Sequence, residues 1–268
     1  MALFISPPFG NYVHLPNTIP IRGSFTLEPR GGLIKQIFKT LRYSFEHKGW
    51  INKIGLRNKG IDYAIRTYKK GQVISVAILK EEEIDEFIKK IPNDMNIELN
   101  ISCPNLDKHL VSNNLDKFLN DEREWCIVKL SVNDDIDDLY KAGFRQFHCC
   151  NTIPIKDMNS IGANGNTIPI KEVQSKYLFK QIFFQPKSRG GLSGPALIPF
   201  VSKKIKDIKE KYPDTTIIAG GGIQNMDTLN LYKECGADYF SVSTLLFNPF
   251  KFISFYTSYN NDQNKTCK

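Results

Sequence analysis

Eight short apolar segments recur along the chain, and most are joined by stretches with the period of a helix. The segments are Leu3–Ser6, Ile21–Leu27, Val73–Leu79, Ile97–Ser102, Cys126–Ser131, Phe144–Cys150, Thr216–Ala219 and Tyr239–Val242. Most are β-branched or aromatic and run into Gly, Ser, Asn or Pro, as strands do. Between them, apolar residues repeat at helical spacing over Ile61 to Tyr68, at Ile84, Phe87 and Ile88, over Leu197 to Ile208 and over Met226 to Leu231. Leu115, Phe118 and Leu119 follow a candidate cap at Asn114, and Ile136, Leu139 and Tyr140 follow Asp134-Asp135. Strands alternating with helices imply a parallel sheet. Eight such units imply an α/β fold of the closed (β/α)8 TIM-barrel type, and 268 residues suit a single domain of that kind.

Two places break the rhythm. Gly10 to Pro20 is too short for a full helix and reads as a loop. A polar insertion at about 153–190, with a strand-like piece at Gln181–Phe184, is of the kind that covers a site. The pentapeptide Asn-Thr-Ile-Pro-Ile starts at Asn17, Asn151 and Asn166, at irregular spacing that predicts no structural repeat.

Composition excludes several classes. Hydrophobic residues make up 41%, enough for a sizeable core. No apolar run approaches the ~20 residues of a membrane span. The start, Met1 to Pro8, lacks the basic region of a signal peptide. A soluble, cytoplasmic protein with no membrane contact is expected. The net charge of +8 reads mainly as a lysine-rich solvated surface, with attraction of anionic ligands as the functional reading. No Lys/Arg block with interleaved aromatics argues for nucleic acid. The six cysteines, Cys103, Cys126, Cys149, Cys150, Cys235 and Cys267, form no CxxC, so no metal site is expected and free thiols in a reducing compartment are.

Chemistry concentrates just past strand ends. Glu98-Leu99-Asn100-Ile101-Ser102-Cys103-Pro104-Asn105 runs from strand into polar loop and sets a thiol between two carboxamides. At the C-terminal end of a barrel strand this is where chemistry is done. An ordinary thiol has a pKa of roughly 8.5, so a modest shift makes Cys103 a usable general base. Asn52 and Asn151 occupy comparable places, and carboxamides both donate and accept, which suits a ring of alternating N–H and C=O groups. Lys129, inside the apolar run Ile127-Val128-Lys129-Leu130, needs an anion to meet it. It suits negative charge on a reduced cofactor. Gly220-Gly221-Gly222 and Ser243-Thr244 end the last two strands, where β/α barrels commonly hold a phosphate. Gly190-Gly191-Leu192-Ser193-Gly194-Pro195 follows the insertion and lets backbone approach a flat ligand or simply turns the chain.

These segments resemble the dihydroorotate dehydrogenase family, in the family's order, from about Phe4 to Pro249. The resemblance rests on Ser24 to Arg30, Asn52 to Gly60, Glu98 to Asn105, Val128 to Ser131, Asn151-Thr152, Gly190 to Pro195, Gly221 to Ile223 and Ser243-Thr244. It implies a barrel that holds FMN and oxidises dihydroorotate to orotate in pyrimidine synthesis. Cys103 takes the base position, and cysteine there resembles the soluble class. Asn52, Asn100, Asn105 and Asn151, with Thr152 and the backbone of Ile54, Gly55 and Leu56, match the pyrimidine-gripping positions. Lys129, Gly191, Gly221, Gly222, Ser243 and Thr244 match the flavin-contacting ones. Soluble members of the family are often homodimers, and the resemblance leaves both the oligomeric state and the electron acceptor open.

Three departures stand out. Gly23 occupies the place of a family lysine that contacts flavin and substrate. Arg22 beside it faces the other way on a strand and would need a bulge to substitute. Ser243 replaces a usual glycine, and the helix after the first strand is missing. Gly23 motivates a second reading, a flavoenzyme for another reduced pyrimidine. All three motivate a third, a catalytically impaired barrel that binds a ligand or serves as a structural protein.

Overall fold

The computed structural model describes residues 2–45, 47–101, 114–154 and 190–266. Eight strands close a parallel barrel: β1 (Leu3–Ile5), β2 (Thr18–Phe25), β5 (Val73–Val76), β6 (Ile97–Asn100), β7 (Cys126–Leu130), β8 (Gln146–Cys149), β11 (Thr216–Gly220) and β12 (Tyr239–Val242), with β12 returning to β1. These are the eight segments expected from sequence: six end earlier than expected, β2 also starts three residues sooner, at Thr18, β11 runs one residue further, to Gly220, and β12 has the expected bounds. Gly10–Pro20 carries no full helix, as expected, but it is not all loop: a short 3-10 turn, Phe9–Asn11, follows β1, and Thr18 to Pro20 already belong to β2.

Side chains alternate across each strand, so each strand divides between two environments. Leu3 and Ile5, Ile97 and Leu99, Val128 and Leu130, Phe147 and Cys149, and Ile217 and Ala219 join the large core beneath the helices. The intervening residues line the barrel interior. Toward the strand N-termini that lining is apolar, a cluster of Phe4, Ile21, Val73, Trp125, Ile127 and Ile218. Phe4, Trp125 and Tyr239 pack edge to face, with ring centroids 5.1–5.9 Å apart. Toward the C-termini it turns polar, with Ser75, Glu98, Lys129, His148 and Ser241 all buried.

Seven α-helices occur among the described residues: α1 (Leu33–Thr40), α2 (Ile61–Arg66), α3 (Glu83–Lys90), α4 (Asp137–Lys141), α5 (Ile198–Lys211), α6 (Met226–Glu234) and α7 (Pro249–Thr266). The periodic helices form because one stripe is apolar. In α5 it is Val201, Ile205 and Ile208, all buried; in α3 it is Ile84 and Phe87, with acids in the first turn and lysines in the last to match the helix dipole. Asn225 caps α6, its side chain accepting from Thr228 N. Asn114 is not a cap: Leu115–Phe118 is a 3-10 turn, and the Asn114 amide donates to Glu81 Oε1 at 2.7 Å. No described helix is long and apolar enough to cross a membrane.

A four-stranded antiparallel sheet was not expected. It has the order β3 (Arg42–Ser44), β4 (Gly49–Asn52), β10 (Gly191–Ser193), β9 (Ile153–Pro154). It clamps the two ends of the insertion together, Leu192 pairing with Ile153 on one side and Ile51 on the other. The piece at Gln181–Phe184 lies outside the described residues. α1 and α7 were also not expected.

Phe4 has no solvent exposure and anchors the apolar end of the barrel. Phe4→Ala is expected to cost about 3–5 kcal/mol, read as a lower urea midpoint at unchanged slope.

Candidate active site

A cleft of about 470 Å³ opens at the C-terminal ends of the barrel strands. That volume lies within the ~300–1,000 Å³ usual for small-molecule sites. Its walls come from the loops after β1, β2, β4, β8, β11 and β12, together with β10. Trp50, Phe9 and Phe247 form an aromatic group in its wall, with Trp50 and Phe247 ring centroids 4.5 Å apart. No Asp or Glu is among the described residues that line it; the lining cations are Lys129 and Arg57.

The floor is built around Glu98, whose side chain is fully buried in β6. Its carboxylate faces Lys129 Nζ at 3.4 Å and His148 Nδ1 at 2.6 Å, and accepts from Ser75 Oγ at 2.8 Å. Burial alone would raise this carboxyl; the Lys129 charge and the His148 and Ser75 contacts outweigh it and hold it at about 2. Burial is the largest influence on His148 and lowers its pKa, so the ring is neutral and donates from Nδ1 to Glu98. Gly220 makes room for the ring, since a Cβ there would lie 2.5 Å from His148 Nε2.

The single proton of Ser75 goes to Glu98, so Ser24 Oγ must donate across the 2.9 Å to Ser75. Asn100 Nδ2 donates to Ser24 Oγ at 2.9 Å, and Asn151 Nδ2 donates to Asn100 Oδ1 at 3.3 Å. Sequence reasoning singled out Asn100, Asn151 and Lys129 and assigned no role to Glu98, His148, Ser24 or Ser75. The signal was present: in Ile97-Glu98-Leu99 and Phe147-His148-Cys149 a polar residue sits between two apolar ones, on the inward face.

The other expected residues are distributed as follows. Asn52, Ile54, Gly55, Leu56, Asn151, Thr152, Gly221, Gly222, Ser243 and Thr244 line the cleft with Lys129. Asn52 Oδ1 accepts from Ile54 N at 3.4 Å, turning the loop in. Asn100 stands just behind the wall, through its contact with Asn151. Gly191 is also behind it, pressed on Thr152, whose Oγ1 would lie 2.4 Å from a Cβ at Gly191; Ser193 and Gly194 reach the wall in its place. Cys103 and Asn105 lie outside the described residues. Cys150 reaches the cleft, but its hydrogen bond to Cys149 and its burial push the thiol well above its ordinary value, so it supplies no thiolate near neutral pH.

The glycine turns fit a phosphate and a flat ring. Gly221 and Gly222 have φ of +98° and +85°, and a Cβ on Gly222 would lie 2.7 Å from Ile198 Cγ1. The Ser243 hydroxyl donates to Pro7 O at 2.9 Å, so this residue offers the cleft its backbone. At Gly23, φ is +109° and a Cβ would lie 2.6 Å from both Ser75 O and the Phe25 ring. The β2 register does shift between Gly23 and Phe25. Arg22 nonetheless turns away, donating to Thr67 O, Thr67 Oγ1 and Gln72 Oε1 at 2.8–3.2 Å. Arg22 therefore does not take the place of the missing lysine.

A closed β/α barrel with a cleft at the C-terminal ends of its strands, a glycine turn after β11 and the Ser243-Thr244 turn after β12 is the architecture of a small-molecule enzyme. Residues 19–254 match the family described as dihydroorotate dehydrogenase, and the chain belongs to it. Among relatives, the catalytic subunit of dihydroorotate dehydrogenase B (NAD(+)) from Staphylococcus carnosus is 30% identical over 246 residues, covering 81% of this chain and 75% of that protein. The corresponding subunit from Thermotoga petrophila is 24% identical over 253 residues, covering 89% and 87%. A putative dihydroorotate dehydrogenase A (fumarate) from Streptococcus agalactiae is 27% identical over 226 residues, covering 76% and 69%. The fold is similar to that of the Eimeria tenella enzyme solved with ferulenol, with TM-score 0.63, 17% identity, and coverage of 93% of this chain and 75% of that one.

Two expectations follow from the floor. Glu98→Gln leaves Lys129 without its counter-charge and should cost about 3–5 kcal/mol in denaturant unfolding. Stability should also fall with acid. The unfolded imidazole takes a proton near 6.5 that native His148 refuses, and the unfolded carboxyl takes one near 4.5 that native Glu98 refuses until about 2. The urea midpoint is expected to decline as pH drops below about 6.5, and His148→Asn should remove that first limb.

Proposed function

We propose that the protein is a flavin-dependent dihydroorotate dehydrogenase of the soluble, cysteine-base class, oxidising dihydroorotate to orotate in de novo pyrimidine synthesis. The observation that carries this reading is the cleft, with no Asp or Glu among its described lining residues, Lys129 in its floor, a glycine turn after β11 and the Ser243-Thr244 turn after β12. Those are donors for an anionic, flat cofactor and for an anionic substrate.

The backbones of Gly221, Gly222, Ser243 and Thr244 would hold the phosphate of FMN, and Lys129 would face its ring system. Gly191 contributes from behind, by letting Thr152 close against the wall. Bound FMN supplies a two-electron acceptor for the substrate's hydride. The protein's own part is to orient the pyrimidine and to remove a proton. Asn52, Asn105 and Asn151 would present donors and acceptors to the ring, with Thr152 and the backbone of Ile54, Gly55 and Leu56 beside them, while Asn100 orients Asn151 from behind the wall. Cys103 takes the proton. The same reading makes residues 1–268 a single barrel domain acting as a cytoplasmic homodimer, with no nucleic-acid or membrane partner.

Gly23 favours a second reading, in which the substrate is a different reduced pyrimidine. The two separate in one measurement. Purified protein should be yellow, and anaerobic dihydroorotate should bleach it; dihydrouracil bleaching it instead favours the second reading. A colourless protein that takes up no FMN would sink both and favour a ligand-binding barrel. Cys103→Ala should slow bleaching by about 10²-fold or more in stopped flow, with FMN content unchanged.

A further inference from the structure

We propose that Arg57 binds the carboxylate of the substrate and sets selectivity for an acidic pyrimidine over an uncharged one. This rests on the reading above that the ligand is dihydroorotate. Dihydroorotate carries one negative charge at neutral pH, and a site that prefers it needs a cation that is not already neutralised. Lys129 is compensated by Glu98. Arg22 is turned away. Gly23 has no side chain and no space for one. Arg57 lines the cleft and forms no ion pair among the described residues; its Nε is covered by protein, which leaves the Nη groups to meet a carboxylate. Its Nη1 donates to Gly31 O at 3.2 Å, which holds the guanidinium without neutralising it.

The backbone around Arg57 is fixed in advance. Asn58 Oδ1 accepts from Thr26 N at 3.2 Å and from Gly60 N at 2.8 Å, while its Nδ2 donates to Thr26 Oγ1 and Leu56 O. Arg30 and Asn58 exchange backbone hydrogen bonds at 2.8 and 2.9 Å. Arg57 N donates to Gly55 O at 2.9 Å. Among the described residues, the amides of Gly55 and Leu56 donate to no acceptor. A carboxylate at this loop would meet a guanidinium N–H and free amides together, on a backbone already ordered, and charge-assisted bonds of this kind are the strong ones.

The test is calorimetric binding of orotate and of uracil to FMN-loaded wild type, Arg57→Gln and Arg57→Lys, with FMN affinity measured in parallel. Arg57→Gln is expected to weaken orotate by roughly tenfold or more, to leave uracil and FMN unchanged, and to lose much of the salt dependence of orotate binding. Arg57→Lys should recover part of the affinity. Orotate bound equally by wild type and Arg57→Gln would overturn the role of Arg57 while leaving the dihydroorotate reading intact. Equal losses for orotate and uracil would overturn it too, showing that Arg57 only props the loop. A loss of FMN affinity with orotate unchanged would assign the guanidinium to the cofactor phosphate and overturn the proposal. Wild type that binds orotate no better than uracil would overturn both the proposal and the dihydroorotate reading.

Discussion

The buried carboxylate of Glu98 is the interaction on which the site depends. An isolated carboxylate with no solvent exposure would be expelled or protonated. Here it is met by Lys129 from β7, His148 from β8 and Ser75 from β5, so the strands on both sides of β6 and the next beyond are tied through one group. The hydrogen bonds beyond it acquire a direction. Donation runs from Asn151 to Asn100, to Ser24, to Ser75, and ends on Glu98. A charged acceptor at the end of a chain polarises every link. Glu98 thus fixes which face Asn100 presents to Ser24 and which it presents to Asn151, without touching the cleft itself. It also sets the charge of the floor, because a paired Lys129 contributes a local dipole more than a net cation.

The barrel can hold this network because its interior is layered. Rings and branched side chains from Phe4 to Ile218 fill the N-terminal half, and this dry base keeps water from reaching Glu98 from below. Above it the inward residues are short or polar: Ser6 and Ser241 share a hydrogen bond at 2.6 Å, and Gly220 leaves room for the His148 ring. One alternation of side chains therefore builds a packed support at one end of each strand and a ligand floor at the other.

The eight barrel strands were legible because apolar residues on both faces give short runs bounded by turn formers. The side sheet was not. Its strands are two to four residues long, and its central pair joins Asn52 to Gly191, so only the folded register creates it. α1 carries Leu33, Ile34, Ile37 and Phe38 at helical spacing, with Leu41 just beyond its end; the pattern was there to read, although none of the helix's residues is buried. Lys129 could be read as a cation needing an anion. Its partner could not, because Glu98 lies across the stagger between β6 and β7, where Lys129 pairs in register with Asn100. His148 stands out between Phe147 and Cys149 as a polar residue in an apolar strand, but only the folded register brings it to Glu98. Gly191 and Gly194 belong to one glycine-rich run, and only the pairing of β10 decides which of them reaches the cleft.

Gly23 is more than a deleted side chain. If a lysine had simply been trimmed there, the backbone would still suit an L-residue and space would remain above it. Instead φ is +109°, Ser75 O and the Phe25 ring occupy the position of a Cβ, and Asn11 Oδ1 accepts from Gly23 N at 3.2 Å. The surrounding chain has been rebuilt around glycine, so the family's usual charge at this point of the cleft cannot be restored by one substitution. Arg22 is not a reserve for it, since three hydrogen bonds draw it to Thr67 and Gln72. With Lys129 held by Glu98, Arg57 is the other cation among the described lining residues, and it stands on the loop after β4. On the assignment proposed for Arg57, the charge facing an anion would come from a loop pinned by Asn58 while the paired Lys129 leaves the floor neutral.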